Sequence, residues 1–224
     1  MIQLRDINKS YDRLQVLHDV SLDIVPGRLT AIIGPSGAGK STLLHIMGSL
    51  DRPDSGKVVF DGIDLTTLSP KKLADFRNRH VGFVFQSHLL LPEFTIEENV
   101  MLPALIGGTS RNEARERARE LLEQVGLKDR IAHRPAELSG GECQRAAVAR
   151  ALVNRPGVIL ADEPSGSLDS ENRANLHRLF FSLRDTLGTT LVIVTHDLSL
   201  AADADHVITL ADGRIAPAET KPQL

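Results

Sequence analysis

Residues 34–41, Gly-Pro-Ser-Gly-Ala-Gly-Lys-Ser, constrain this chain more than any other segment. They follow the apolar run at 29–33 and lead into residues 40–50, where Leu43, Leu44 and Met47 fall on one helical face. A strand that turns through glycines directly into a helix is a building unit of an α/β sheet. The spacing is G-x-x-x-x-G-K-[ST]. Glycines let backbone N–H groups close around phosphates, and the helix behind them adds the positive end of its dipole. The candidate nucleotide site is therefore Gly34, Pro35, Ser36, Gly37, Ala38, Gly39, Lys40, Ser41 and the adjoining Thr42. Lys40 is expected to reach the β- and γ-phosphates of ATP, and the Ser41 hydroxyl to coordinate Mg²⁺.

Strands and helices keep alternating toward the C-terminus. Residues 158–161, 190–195 and 207–210 read as buried strands, and Leu176, Leu179, Phe180, Leu183 and Leu187 recur at helical spacing as a core-facing stripe. This rhythm predicts a largely parallel sheet. The first thirty residues read as short strands with turns. Residues 21–25 alternate in polarity before Pro26-Gly27 breaks the run, residues 51–56 form a turn, and residues 57–60 form a strand. Residues 87–156 are mainly helical. Ser110 and Glu113 have the spacing of a capping box, with the glutamate reaching back to the helix start. The helix behind them places Ala114, Ala118, Leu121, Leu122 and Val125 on one face, pairs Glu113 with Arg117 on the solvated side, and meets a stop signal at Gly126.

A second set of residues suits phosphate chemistry. Asp162 closes an apolar strand, at the end where ligands bind in open α/β sheets, and suits Mg²⁺ coordination. Glu163 follows at once and suits a general base for water attack on the γ-phosphate. Gln86 follows the run at 81–85; it could touch both metal and water, or simply mark a strand end. His196 follows another strand and could donate to the γ-phosphate, although a lone histidine is as easily a surface or core residue.

Between the glycine loop and Asp162 lies Leu138-Ser139-Gly140-Gly141-Glu142, and here the chain resembles the ATP-binding subunits of ABC transporters, over essentially its whole length. The resemblance implies a P-loop NTPase core with a mainly parallel sheet, an N-terminal antiparallel β subdomain and a helical subdomain inserted at about 87–157. All of these belong to one domain over 1–224. Catalytic roles then fall to Glu163, His196, Gln86 and Lys40, and metal binding to Ser41, Gln86 and Asp162. Tyr11 matches the aromatic that stacks on adenine, with a packed tyrosine of a small sheet as the alternative. Ser167-Leu168-Asp169 matches the family's D-loop. Two copies would pair head to tail, each ATP lying between one glycine loop and the Ser139, Gly140, Gly141 and Glu142 segment of the other copy, where a helix N-terminus offers a second anion cradle. Ser165 and Ser167 depart from a more usual Thr-Gly-Asn-Leu-Asp, and Cys143 stands where a longer side chain is common.

Residues 43–51 and 85–100 are most similar to the branch that drives lipoprotein release from the inner membrane. Exporters of macrolides or peptides, and cell-division modules that move nothing, share much of these stretches. The resemblance implies two integral membrane subunits as partners, docking on the apolar stretch after Gln86, whose leucines could equally be core. Composition is compatible. A net charge of −3 gives no basic surplus for nucleic acid, and the single cysteine, unable to form an internal disulfide, suits a reducing compartment. No apolar run approaches the roughly 20 residues that span a bilayer, and the first residues do not read as a signal peptide. The expected place is peripheral, on the cytoplasmic face of the inner membrane, in contact with it only through partners. No long heptad run suggests a repair or translation protein.

Overall fold

The computed structural model describes residues 2–216. The chain opens with an antiparallel ribbon, β1 (Ile2–Tyr11) and β2 (Leu14–Ile24). It crosses to a second sheet through β3 (Leu29–Ile33), enters α1 (Lys40–Met47), and returns in β4 (Ser55–Phe60) and β5 (Ile63–Asp64). Helix α2 (Pro70–His80) leads to β6 (Val81–Phe85). Three helices follow, α3 (Ile96–Ile106), α4 (Arg111–Gln124) and α5 (Gly140–Leu152). The chain then alternates through β7 (Val158–Asp162), α6 (Ser170–Leu187), β8 (Thr190–Val194), α7 (Leu198–Asp203), β9 (His206–Ala211) and β10 (Arg214–Ile215).

The smaller sheet is antiparallel, in the order β2-β1-β4-β5, and the larger runs β10-β9-β3-β8-β7-β6. Its five strands from β9 to β6 are parallel, and β10 pairs antiparallel at the edge. Register fixes where the chemistry lies. Phe85 pairs with Asp162, Asp162 with Val194, and Val194 with Ile32. The residues just beyond these positions, Gln86, Glu163, Thr195 and the glycine loop, therefore share one edge of the sheet.

Three apolar clusters hold the layers. One lies between the two sheets around α1, including Leu43, Leu44 and Met47. A second, from Leu90 to Val153, belongs to α3, α4 and α5. The third packs α6 through Leu176, Phe180 and Leu183 on the far face of the parallel sheet.

Several sequence expectations change. The N-terminal strands are long, not short. The polar interruptions are bulges in a continuous ribbon, where the register slips between Leu4 and Ser10 and Asp6 and Asp19 take left-handed φ values of 51° and 49°. Helix α1 ends at Met47 because Gly48 caps it, and β4 starts at Ser55, earlier than expected. Ser110 caps α4, but Glu113 does not reach back; its carboxylate is taken by Arg117 one turn on. Leu187 leaves the stripe and is 55% exposed, since it lies in the last turn of α6, beside the Gly188 cap.

Candidate active site

The glycine loop joins β3 to α1 with a geometry only glycine permits at its first residue. Gly34 has φ +146°, and a Cβ there would lie 2.0 Å from the Leu210 carbonyl oxygen. Pro35, Ser36 and Gly37 are exposed, and Ala38 and Gly39 are buried beneath them. The Lys40 ammonium lies across the loop mouth, donating to the carbonyl oxygens of Gly34 and Pro35 at 2.9 Å each. Thr42, half-buried, continues the first turn of α1.

Ser41 and Asp162 are brought together: the Ser41 hydroxyl donates to Asp162 Oδ1 at 2.9 Å. Among the described residues no group of three His, Cys, Asp or Glu side chains is arranged to hold a metal. The Ser41–Asp162 oxygen pair fits a hard divalent cation that takes its remaining ligands from phosphate and water. His45, one turn beyond Ser41, was not singled out from the sequence. Its Nε2 lies 3.8 Å from Asp162 Oδ2, buried without a hydrogen-bond partner. The i, i+4 spacing from Ser41 was the available signal.

Glu163 follows β7 with a left-handed φ of 46°, its N–H donating to the Val194 carbonyl. Its carboxylate meets His196. His196 Nδ1 is 2.7 Å from Glu163 Oε2, and the His196 N–H donates to the same oxygen at 3.3 Å. The sequence reading aimed His196 at a phosphate; in this structure its ring is paired with the glutamate. Gln86 is exposed at the end of β6. A Cβ on Gly166 would come within 3.0 Å of its Nε2, so the glutamine lies against the turn after Glu163.

Tyr11 is 46% exposed, at the end of β1. Its hydroxyl donates to Asp51 Oδ2 at 2.6 Å, and the Lys9 ammonium sits 5.0 Å from its ring centroid. Burial alone would raise the Asp51 carboxyl. Hydrogen bonds from Tyr11 and Lys9 outweigh it and hold the group below the usual carboxylate range. The ring is thereby fixed with its body accessible.

The second motif begins α5. Ser139 accepts from the Glu142 N–H at 3.2 Å, and Glu142 accepts from the Ser139 N–H at 2.8 Å, a complete capping box. The Ser139 backbone bond, then its hydroxyl and Arg130, lower the Glu142 carboxyl. Glu142 is thus committed to the cap, whose hydrogen bonds stay within residues 130–142, while Ser139 and Gly140 are exposed. Gly141 is buried, with Asn172 against it: a Cβ there would lie 2.2 Å from Asn172 Oδ1. Asp169 caps α6 and binds the Asn172 side chain at 2.7 Å, so the starts of α5 and α6 are packed together. Ser165 is buried, 3.4 Å from His177 Nε2, and Cys143 is buried, its thiol raised by desolvation.

A groove of about 470 Å³ opens between α2, β6, α3 and α5, lined by Phe83, Phe85, Leu89, Ile106 and Arg150. Leu89, Leu91 and Ile106 are 55%, 42% and 75% exposed, whereas Leu90 is core. The apolar stretch after Gln86 thus divides between packing and surface.

Known proteins of this type are numerous. The family described as ABC transporter matches residues 17–166. The lipoprotein-releasing system ATP-binding protein LolD of Bacteroides thetaiotaomicron is 59% identical over 215 residues, covering 96% of this chain and 99% of that protein. The LolD of Syntrophotalea carbinolica is 54% identical, covering 96% of each. Among solved structures, a dimeric bacterial ABC transporter cassette shares 41% identity with a TM-score of 0.89, covering 97% of each chain. A dimeric post-hydrolysis ATP-binding cassette bound to ADP and Pi shares 40% with a TM-score of 0.90, covering 100% of each.

Proposed function

The chain belongs to the ABC transporter family, and from that premise we propose that it is the ATPase subunit of a lipoprotein-releasing system, working as an ATP-sandwich dimer beneath membrane partners. Its reaction is ATP hydrolysis. The observation that carries the site assignment is the pairing of Ser41 with Asp162 at 2.9 Å beside that of Glu163 with His196 at 2.7 Å, on one sheet edge with the glycine loop.

Lys40 exchanges its loop carbonyls for phosphate oxygens, and the accessible face of Tyr11 stacks on the base. Ser41, Asp162 and Gln86 are the residues that would hold Mg²⁺, which when bound offsets phosphate charge. His196 orients one oxygen of Glu163 and leaves the other for water. Glu163 accepts the water proton as the water oxygen bonds to the γ-phosphorus and the bond from that phosphorus to the ADP oxygen breaks. Ser139, Gly140 and Gly141 at the capped start of α5 receive the partner copy's nucleotide, where the helix dipole favours anions; Glu142 serves by holding that start in place. Residues 87–157 form the helical insert that carries this segment.

Among the described residues no helix is long and apolar enough to cross a membrane. In this reading two integral membrane subunits dock in the groove at Leu89 and Ile106, on the cytoplasmic face of the inner membrane; the exposed Leu89 and Ile106 beside it support that place. Closure and opening of the ATP dimer pass to them as a population shift. The test is capture of the Glu163→Gln variant with ATP from native membranes. Membrane subunits bearing lipoprotein support the reading. A drug exporter or a division protein in their place contradicts it.

A further inference from the structure

Gln86 begins a loop with a costly backbone: His88 and Leu89 take left-handed φ values of 48° and 49° in succession, disfavoured for residues with a Cβ. The residues that hold them belong to α5, not to the sheet. Gln144, 2% exposed, donates Nε2 to the Phe85 carbonyl at 2.8 Å. Six residues along the helix, Arg150 donates Nη1 to the Leu89 carbonyl at 2.5 Å and Nη2 to the His88 carbonyl at 2.7 Å. Burial lowers Arg150 below its usual value, so the guanidinium has given up water for these partners. Helix α5 therefore grips both ends of residues 85–89, and its first residues are Gly140 and Gly141. Arg150 also lines the groove beside Leu89 and Ile106.

We infer that Arg150 is a positioning residue for hydrolysis, fixing Gln86 to α5 through the His88 and Leu89 carbonyls. The inference rests on the reading of Gln86 given above. The planar fork is essential, because its two N–H groups reach two carbonyls in a fixed geometry that a lysine ammonium does not reproduce.

The test uses the purified full-length chain as Arg150→Lys, Arg150→Ala, Gln86→Ala and the double variant Gln86→Ala/Arg150→Lys. Arg150→Lys keeps the charge and most of the stem, and carries the test if the alanine form fails to fold. Its affinity for a fluorescent ATP analogue without metal should match wild type. Its kcat should fall about 10- to 100-fold, the scale of a misplacement of roughly 1 Å. Amides of residues 85–91 should exchange hydrogen faster. In the double variant kcat should equal that of Gln86→Ala alone, because Arg150 acts through Gln86. A further multiplicative loss there overturns the inference, as does a slow Gln86→Ala beside wild-type kcat in Arg150→Lys. Wild-type kcat in Gln86→Ala overturns the underlying reading of Gln86, and the inference with it.

Discussion

Two adjacent glycines at the start of α5 separate packing from ligand approach. Neither has a left-handed φ, so alanine fits the backbone at both, with a helix-propensity gain of up to about 1 kcal/mol. At Gly141 the new Cβ would lie 2.2 Å from Asn172 Oδ1, 2.5 Å from Cγ and 3.0 Å from Cβ. Turning the Asn172 side chain to another χ1 rotamer relieves the first two and breaks its bond to Asp169, worth about 1 kcal/mol. The contact with Asn172 Cβ remains, so the starts of α5 and α6 must separate. Overpacking of this kind costs about 1–3 kcal/mol. Set against the propensity gain, Gly141→Ala should lose roughly 1–3 kcal/mol, and Tm should fall by about 2–4 °C for each of them. Phosphate release should fall on the order of 10²-fold if Ser139 moves by about 1 Å. At Gly140 the Cβ would meet only Leu168, at 3.8 Å, an ordinary contact. Gly140→Ala should therefore melt at or above the wild-type temperature. It should still lose activity on the order of 10²-fold, the scale of one misdirected anion donor, because the methyl group stands where the partner's phosphate approaches. Thermal denaturation and steady-state phosphate release on the same samples decide it. Wild-type turnover by Gly140→Ala would refute the partner-facing role of this segment. A Gly141→Ala protein as stable as wild type would refute the packing argument.

Lys40→Ala should fail at nucleotide binding, since it removes the ammonium that spans the loop mouth; tight ATP binding by that variant in an equilibrium titration contradicts the assignment. Asp205 supplies a pH-dependent term. Burial would raise its carboxyl, but the Leu29 N–H and the Arg184 guanidinium outweigh that and lower it. Folding thus favours the ionised form. Its stabilisation is complete above the unfolded value near 3.9 and is lost as pH falls through the lower folded value. Asp205→Asn should therefore be less stable than wild type at neutral pH, and the gap should narrow in acid; a gap independent of pH contradicts the linkage.

The legible parts of the fold were those governed by local periodicity. Strands β3, β7 and β8 are short apolar runs because helices cover both faces of a parallel sheet, and the glycine loop fixed the first helix. The length of the ribbon β1–β2 is hidden in the sequence because its bulges, with Asp6 and Asp19 at left-handed φ, break the two-residue alternation. Glu142 falls among the ligand residues by resemblance, although Ser139 and Glu142 have the same capping-box spacing as Ser110 and Glu113; the reciprocal bond forms at the first pair and not at the second. Gln144 and Arg150 lie in a helix and act on carbonyls about sixty residues earlier, a contact that no spacing rule anticipates. The pairing of His196 with Glu163 depends on the register between β7 and β8, which the order of residues alone does not reveal. The roles of Gln86, Tyr11 and the Ser139–Gly141 segment came from resemblance, and the residues alone left the first two open.

The most direct test of the central claim is ATP turnover and sedimentation of the Glu163→Gln variant with and without ATP. The account predicts turnover lowered by roughly 10²–10⁴-fold, the worth of a general base, together with a dimer that forms on ATP and persists. Near wild-type turnover, or a chain that stays monomeric with ATP bound, would contradict it.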